Sequence, residues 1–196
     1  GEILRRDAAG HSGGDREVSL CRQVTAPPLV ITALLDHATQ GRLDEERRRL
    51  FPVGRTQVGA HVTLFHAVPG EHLEAVRSML AAEQRGDPLP VRVTGVRSLG
   101  SGAAYLLESP GLTALRNRLA EAWWPWLTPQ DRQPFKPHVT VQNKVDPGTA
   151  KATVATLTAE FVPVTSHCEA LELWHYVGGP WRAEATFPFR ANGEPS

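Results

Sequence analysis

HVTLFHAVPG, running from His61 to Gly70, and HVTVQNKVDPG, running from His138 to Gly148, are two versions of one stretch, the second longer by a residue. Each then enters a segment with helical spacing. Counted from the two glycines, Val76 falls on Val154, Met79 on Leu157 and Ala81 on Ala159. A repeat of this kind predicts two copies of one supersecondary unit facing each other, with equivalent residues meeting near a pseudo-two-fold axis.

Working outward, the apolar run LVITALL, Leu29 to Leu35, reads as a buried strand, and GRLDEERRRLF as a charged helix ending before Pro52. EHLEAVRSMLAAE carries Leu73, Val76, Met79 and Leu80 at helical spacing. PVRVTGVRSL and AAYLLES are strand candidates parted by Gly100-Ser101-Gly102, and a helix from about Leu112 to Trp126 sets Leu115, Leu119, Trp123 and Trp126 along one side. TAKATVATLTAEF supplies the second repeat's helix. ALELWHYV and WRAEATFPF flank Gly178-Gly179-Pro180 as a hairpin, in which Trp181, Ala183, Ala185, Phe187 and Phe189 alternate toward a core. This order predicts an α+β fold of two pseudo-symmetric lobes, each a mostly antiparallel sheet backed by helices, with the cleft between them. Residues 27–190 are expected to form that single bilobal domain, residues 1–26 a polar arm, and residues 191–196 a tail.

Twenty-one basic residues balance twenty-one acidic ones, which argues against a global field for long nucleic acids, so any phosphate site is local. No stretch is apolar enough to span a bilayer and no secretory leader is evident, so the expectation is a cytoplasmic monomer. Cys21 and Cys168 lack metal-like spacing and are read as structural or incidental.

Alternation along a strand sends His61 and Thr63 to one face and Val62 and Leu64 to the other; His138 and Thr140 behave likewise over Val139 and Val141. Each motif thus has a chemical face and an apolar one. If the lobes oppose, two imidazoles and two hydroxyls converge, an arrangement suited to transfer at a phosphodiester. One neutral imidazole removes a proton, the opposite imidazolium returns one, and the hydroxyls bond the non-bridging oxygens. Histidine, with an unperturbed pKa of about 6.5, can serve in both forms. No metal or other cofactor is required.

With this doubled HxTx motif, 77 residues apart, the chain resembles the 2H phosphoesterase superfamily, which includes 2'-5' RNA ligase-like proteins and cyclic phosphodiesterases. The resemblance spans about Leu29 to Arg190 and takes in the ending LELWHYVGGPW. It implies a bilobal fold, metal-independent chemistry on 2',3'-cyclic phosphates or 2',5' linkages of a nucleotide or RNA end, and catalytic roles for His61, Thr63, His138 and Thr140. Some members carry an aromatic three residues after the second hydroxyl, where this chain has Asn143.

Phe65, Lys136, Gln142, Lys144 and Tyr176 are the candidate substrate contacts, the first four from their expected faces and Tyr176 from the last hairpin, beside Trp174. His66 is placed opposite His61 by alternation and left outside the site. Two further functions compete: a nucleotide- or RNA-binding module that keeps the pocket without turnover, and a metal hydrolase using His61, His66 and His138.

Overall fold

The LVITALL run is β1 (Leu29–Leu35), buried almost throughout because it is paired on both edges, by β2 (Val62–Val68) and by β6 (Val164–Tyr176). The computed structural model describes residues 26–54, 58–179 and 181–190. The expected tail and nearly all of the expected arm, Cys21 included, lie outside these residues. Among the described residues the chain continues through α1 (His37–Leu50), β2, α2 (Leu73–Ala82), β3 (Leu89–Ser98), β4 (Ala103–Glu108), α3 (Pro110–Ala122), β5 (His138–Gln142), α4 (Pro147–Ala159), β6 and β7 (Trp181–Pro188). That is the order expected from the pattern of strands and helices. No described helix is long and apolar enough to cross a membrane.

All strand pairings are antiparallel, and they close on themselves. From β1 the order runs through β2, β5, β4 and β3 to β6, which returns to β1. The length of β6 makes this possible: Val164–Cys168 pairs with β3 and Ala170–Tyr176 with β7, while the opposite edge holds β1. The lobes are therefore two arcs of one ring. Where β2 meets β5, Val62 and Val139 are the paired residues, which leaves the wall open on either side of them.

The helices that precede the two motif strands cross over. From α1, ahead of β2, Arg47 reaches the Thr140 carbonyl of β5; from α3, ahead of β5, Arg116 lies 4.8 Å over the ring of Phe65 in β2. Between α2 and α3, the Trp123 indole donates to Met79 and packs 4.9 Å from Phe65. Trp123 and Phe65 are both fully buried.

Helix starts follow their local chemistry. Ser109 caps α3 through Leu112 N and Asp146 caps α4 through Thr149 N, each with proline next in line, where its missing N–H costs nothing. The helix expected to reach Trp126 stops at Ala122, because Pro125 disfavours helical backbone at the residue before it, and Trp124–Trp126 is a short 3-10 turn. Alternation in β7 also breaks. A register shift opposite Leu173 and Trp174 leaves Ala183 exposed, whereas Phe187 and Phe189 are buried as expected.

Asp36 both caps α1 and ties it to β6: its carboxylate accepts from Thr39 N at 3.0 Å, from the Ser166 hydroxyl and from His167 N at 3.3 Å. Burial opposes its ionisation, but the bonds from Ser166, Thr39 and His167 outweigh that and hold the carboxyl at about 2. Asp36→Ala should therefore cost about 1–2 kcal/mol in denaturant unfolding at neutral pH. Because the folded-state pKa lies below the ordinary 3.8, this contribution is present above that value and is lost as pH falls toward 2, so the gap between variant and parent should narrow there.

Candidate active site

The backs of the two motifs behave as alternation requires: Val62, Leu64, Val139 and Val141 are all buried. Extending the Val62–Val139 register by one residue each way sets His61 opposite Thr140 and Thr63 opposite His138. In register, each histidine is thus next to the threonine of the other repeat. All four line one cleft of about 910 Å³.

The two imidazoles are held alike. His61 Nδ1 donates to the carbonyl of Gly59 at 2.7 Å, and His138 Nδ1 to that of Lys136 at 2.9 Å, the residue two back in both cases. A carbonyl only accepts, so Nδ1 carries hydrogen and Nε2 is the nitrogen left for chemistry. Ahead of His61, α1 fixes the backbone: Asp44 accepts from Ala60 N at 2.5 Å and Gln40 donates to Ala60 O at 2.6 Å. Asp44 comes so close that a side chain at Gly59 would collide with its carboxylate.

Past the threonines both strands bulge at equivalent places. Thr32 faces Thr63 but Ile31 faces Phe65, and Ala104 faces Thr140 but Ala103 faces Gln142, so Leu64 and Val141 are extra residues. A bulge reverses the facing of the residues beyond it. Phe65 is turned into the core against Trp123, and Gln142 is buried with its amide donating to Thr153 Oγ1 at 2.9 Å. Neither is open to a substrate, which corrects the expectation for both. The same reversal brings His66 and Asn143 to the cleft, so the placement of His66 outside the site is also corrected.

Of the other candidates, Lys144 and Tyr176 line the cleft, while Lys136 contributes its carbonyl to His138 and its side chain does not line the wall. Arg47, Phe51 and Trp181 line it too and were not foreseen. The Trp181 ring lies 4.8 Å from that of His61. Arg47 bonds Val58 O at 3.1 Å and Thr140 O at 2.5 Å, with Phe51 under its guanidinium at 4.1 Å. The sequence did hold a signal for Arg47, since Thr39, Leu43 and Arg47 recur every four residues and form the buried side of α1.

The described lining includes Arg47, His61, His66, His138 and Lys144 and no carboxylate. Burial lowers Arg47 to about 10, only partly opposed by Asp44, so it stays charged at neutral pH. Burial also pushes His61 down to about 4; the Gly59 carbonyl works the other way, while Arg47, His66 and His138 add to the lowering. Among the described residues no three His, Cys, Asp or Glu side chains converge as a ligand set, so the geometry gives no support to a metal held by His61, His66 and His138.

Residues 35–180 match the family model described as the 2'-5' RNA ligase superfamily. The chain belongs to this superfamily. Solved structures share its fold. TT0787 of Thermus thermophilus aligns with a TM-score of 0.61 at 19% identity, over 84% of this chain and 99% of that one. E. coli LigT complexed with 3'-AMP aligns at 0.56 and 18% identity, and LigT complexed with NADP+ at 0.54 and 16%, each over 84% of this chain and 98% of LigT. No curated protein matches the chain by sequence.

In the ligand-free protein, NMR titration of the His61 ring should give a midpoint near 4, well below the ordinary 6.5. The folded state then binds its proton less readily than the unfolded chain, so stability from this group falls as pH drops from 6.5 toward 4. A midpoint at or above 6.5 would contradict the desolvated setting beside Arg47, His66 and His138.

Proposed function

We propose that the protein is a metal-independent phosphoesterase opening the 2',3'-cyclic phosphate of a nucleotide or RNA end to a 2'-phosphate, and running the same chemistry toward 2',5' ligation when an RNA 5'-hydroxyl replaces water. The observation that carries this is the pair of His-Val-Thr motifs at one seam, each Nδ1 tied to a carbonyl and each Nε2 without a hydrogen-bond partner among the described residues.

In this reading His61, disfavoured as a cation, takes the proton from the attacking water through Nε2. His138 gives its proton to the departing 3' oxygen. Thr63 and Thr140 donate to the non-bridging oxygens, each beside the opposite histidine. Arg47, anchored on the carbonyl of Thr140, adds positive charge behind them, and Lys144 and Tyr176 offer contacts farther out. The absence of any carboxylate from the described lining favours an anionic substrate. LigT, which shares the fold, is captured with 3'-AMP, a nucleotide phosphorylated on the ribose edge at issue here.

Turnover of a 2',3'-cyclic nucleotide should persist in excess chelator. His61→Ala and His138→Ala should each lower kcat by roughly a hundred-fold or more while melting as the parent does. Loss of activity to the chelator would point to a metal enzyme, and tight binding without turnover to a pocket that only binds.

A further inference from the structure

His66 stands apart from the chemistry assigned above, yet its imidazole is the one in the cleft tied to a buried carboxylate. Its Nδ1 lies 2.8 Å from Asp131 Oδ1. That carboxylate is itself immobilised: it accepts from His66 N at 2.9 and 3.0 Å and from Ala67 N at 3.1 Å, and its side chain is 1% exposed. The backbone of Asp131 is fixed as well, its N–H donating to Thr128 Oγ1 at 3.2 Å and its carbonyl accepting from Arg116. The His66 side chain, by contrast, is 44% exposed. With Nδ1 turned inward, Nε2 is the group left for a ligand.

Position says what that ligand group is. A strand advances about 3.3 Å per residue, so His66 stands roughly 10 Å along β2 from Thr63, shortened somewhat by the bulge. A phosphate held by the two threonines is therefore served first by His61 and His138, with His66 farther along the wall. The equivalent place on β5 is Asn143, followed by Lys144, whose backbone is left-handed (φ 62°) and whose N–H donates to the Asn143 side chain at 2.8 Å. Since β2 and β5 are antiparallel, His66 and Lys144 lie toward opposite ends of the cleft. In a nucleotide chain, the next anion beyond a 2',3'-cyclic phosphate is the phosphate on the 5' side of the same ribose.

We propose that His66, steered by Asp131, binds this second phosphate, so that the favoured substrate is an RNA end or a 5'-phosphorylated nucleotide and not a bare nucleoside cyclic phosphate; this rests on the phosphoesterase reading. As the imidazolium, the ring donates from Nδ1–H to the Asp131 carboxylate and from Nε2–H to a phosphate oxygen, a cation held between two anions by charge-assisted bonds. Asp131 is a positioning residue that acts through this ring.

Calorimetry with adenosine 3',5'-bisphosphate and 3'-AMP reads the site without turnover. The parent should bind the bisphosphate roughly tenfold more tightly or better, and His66→Gln should remove most of that advantage. The ratio is the readout, because a general loss of cleft shape weakens both ligands alike. An advantage that survives in His66→Gln, or that is missing in the parent, overturns the assignment. Adenosine 2',3'-cyclic phosphate with and without a 5'-phosphate gives the kinetic counterpart: His66→Gln should raise KM selectively for the phosphorylated form. If neither cyclic substrate turns over while the calorimetric ratio behaves as stated, the phosphoesterase reading fails and with it the substrate preference, while phosphate binding by His66 stands.

Discussion

Val62 against Val139 is the contact on which the arrangement of the cleft depends. Both side chains are fully buried, so neither strand can slide without dragging valine out of the core. A slip of one residue would exchange the faces of the motifs and bury the imidazoles. The register also sets the cross-pairing of histidine with threonine, which no residue of the site enforces by itself. Hydrophobic burial therefore sets the faces of the two strands, and the polar bonds at Gly59, Lys136 and Ala60 orient the rings on them.

Around that contact the two repeats lend each other support. Arg47 bridges the chain before His61 and the carbonyl of Thr140, while Arg116 joins the ring of Phe65 to the carbonyl of Asp131. Each preceding helix thus anchors a residue belonging to the opposite repeat. Two such ties make the halves mutually dependent.

Much of this was legible in the sequence. The doubled motif pointed to the family that the comparison shows, and period-2 alternation put His61, Thr63, His138 and Thr140 on the cleft side of their strands. What alternation could not disclose was the extra residue after each threonine, because a bulge depends on the neighbouring strand and leaves no necessary mark in its own sequence. Phe65, Gln142 and His66 were misplaced for that one reason. Arg47 was passed over differently: in a run of charges it looked solvated, and only the spacing from Leu43 hinted at its buried guanidinium. Closure of the sheet by β6 was equally hidden, since pairing with both β1 and β3 depends on elements far apart in the chain.

That closure governs how the molecule can yield. A strand shared by both arcs acts as a hoop, and parting them would mean stripping ladder bonds from β6 on at least one edge. The walls cannot gape like a clamshell to admit or discharge a guest. A guest must then use the cleft as it stands, whose described lining includes Phe51, Gly54, Tyr176 and Gly178-Gly179. On the proposed function, residence time would then depend on how strongly Arg47, His66 and Lys144 retain an anion and not on the arcs parting.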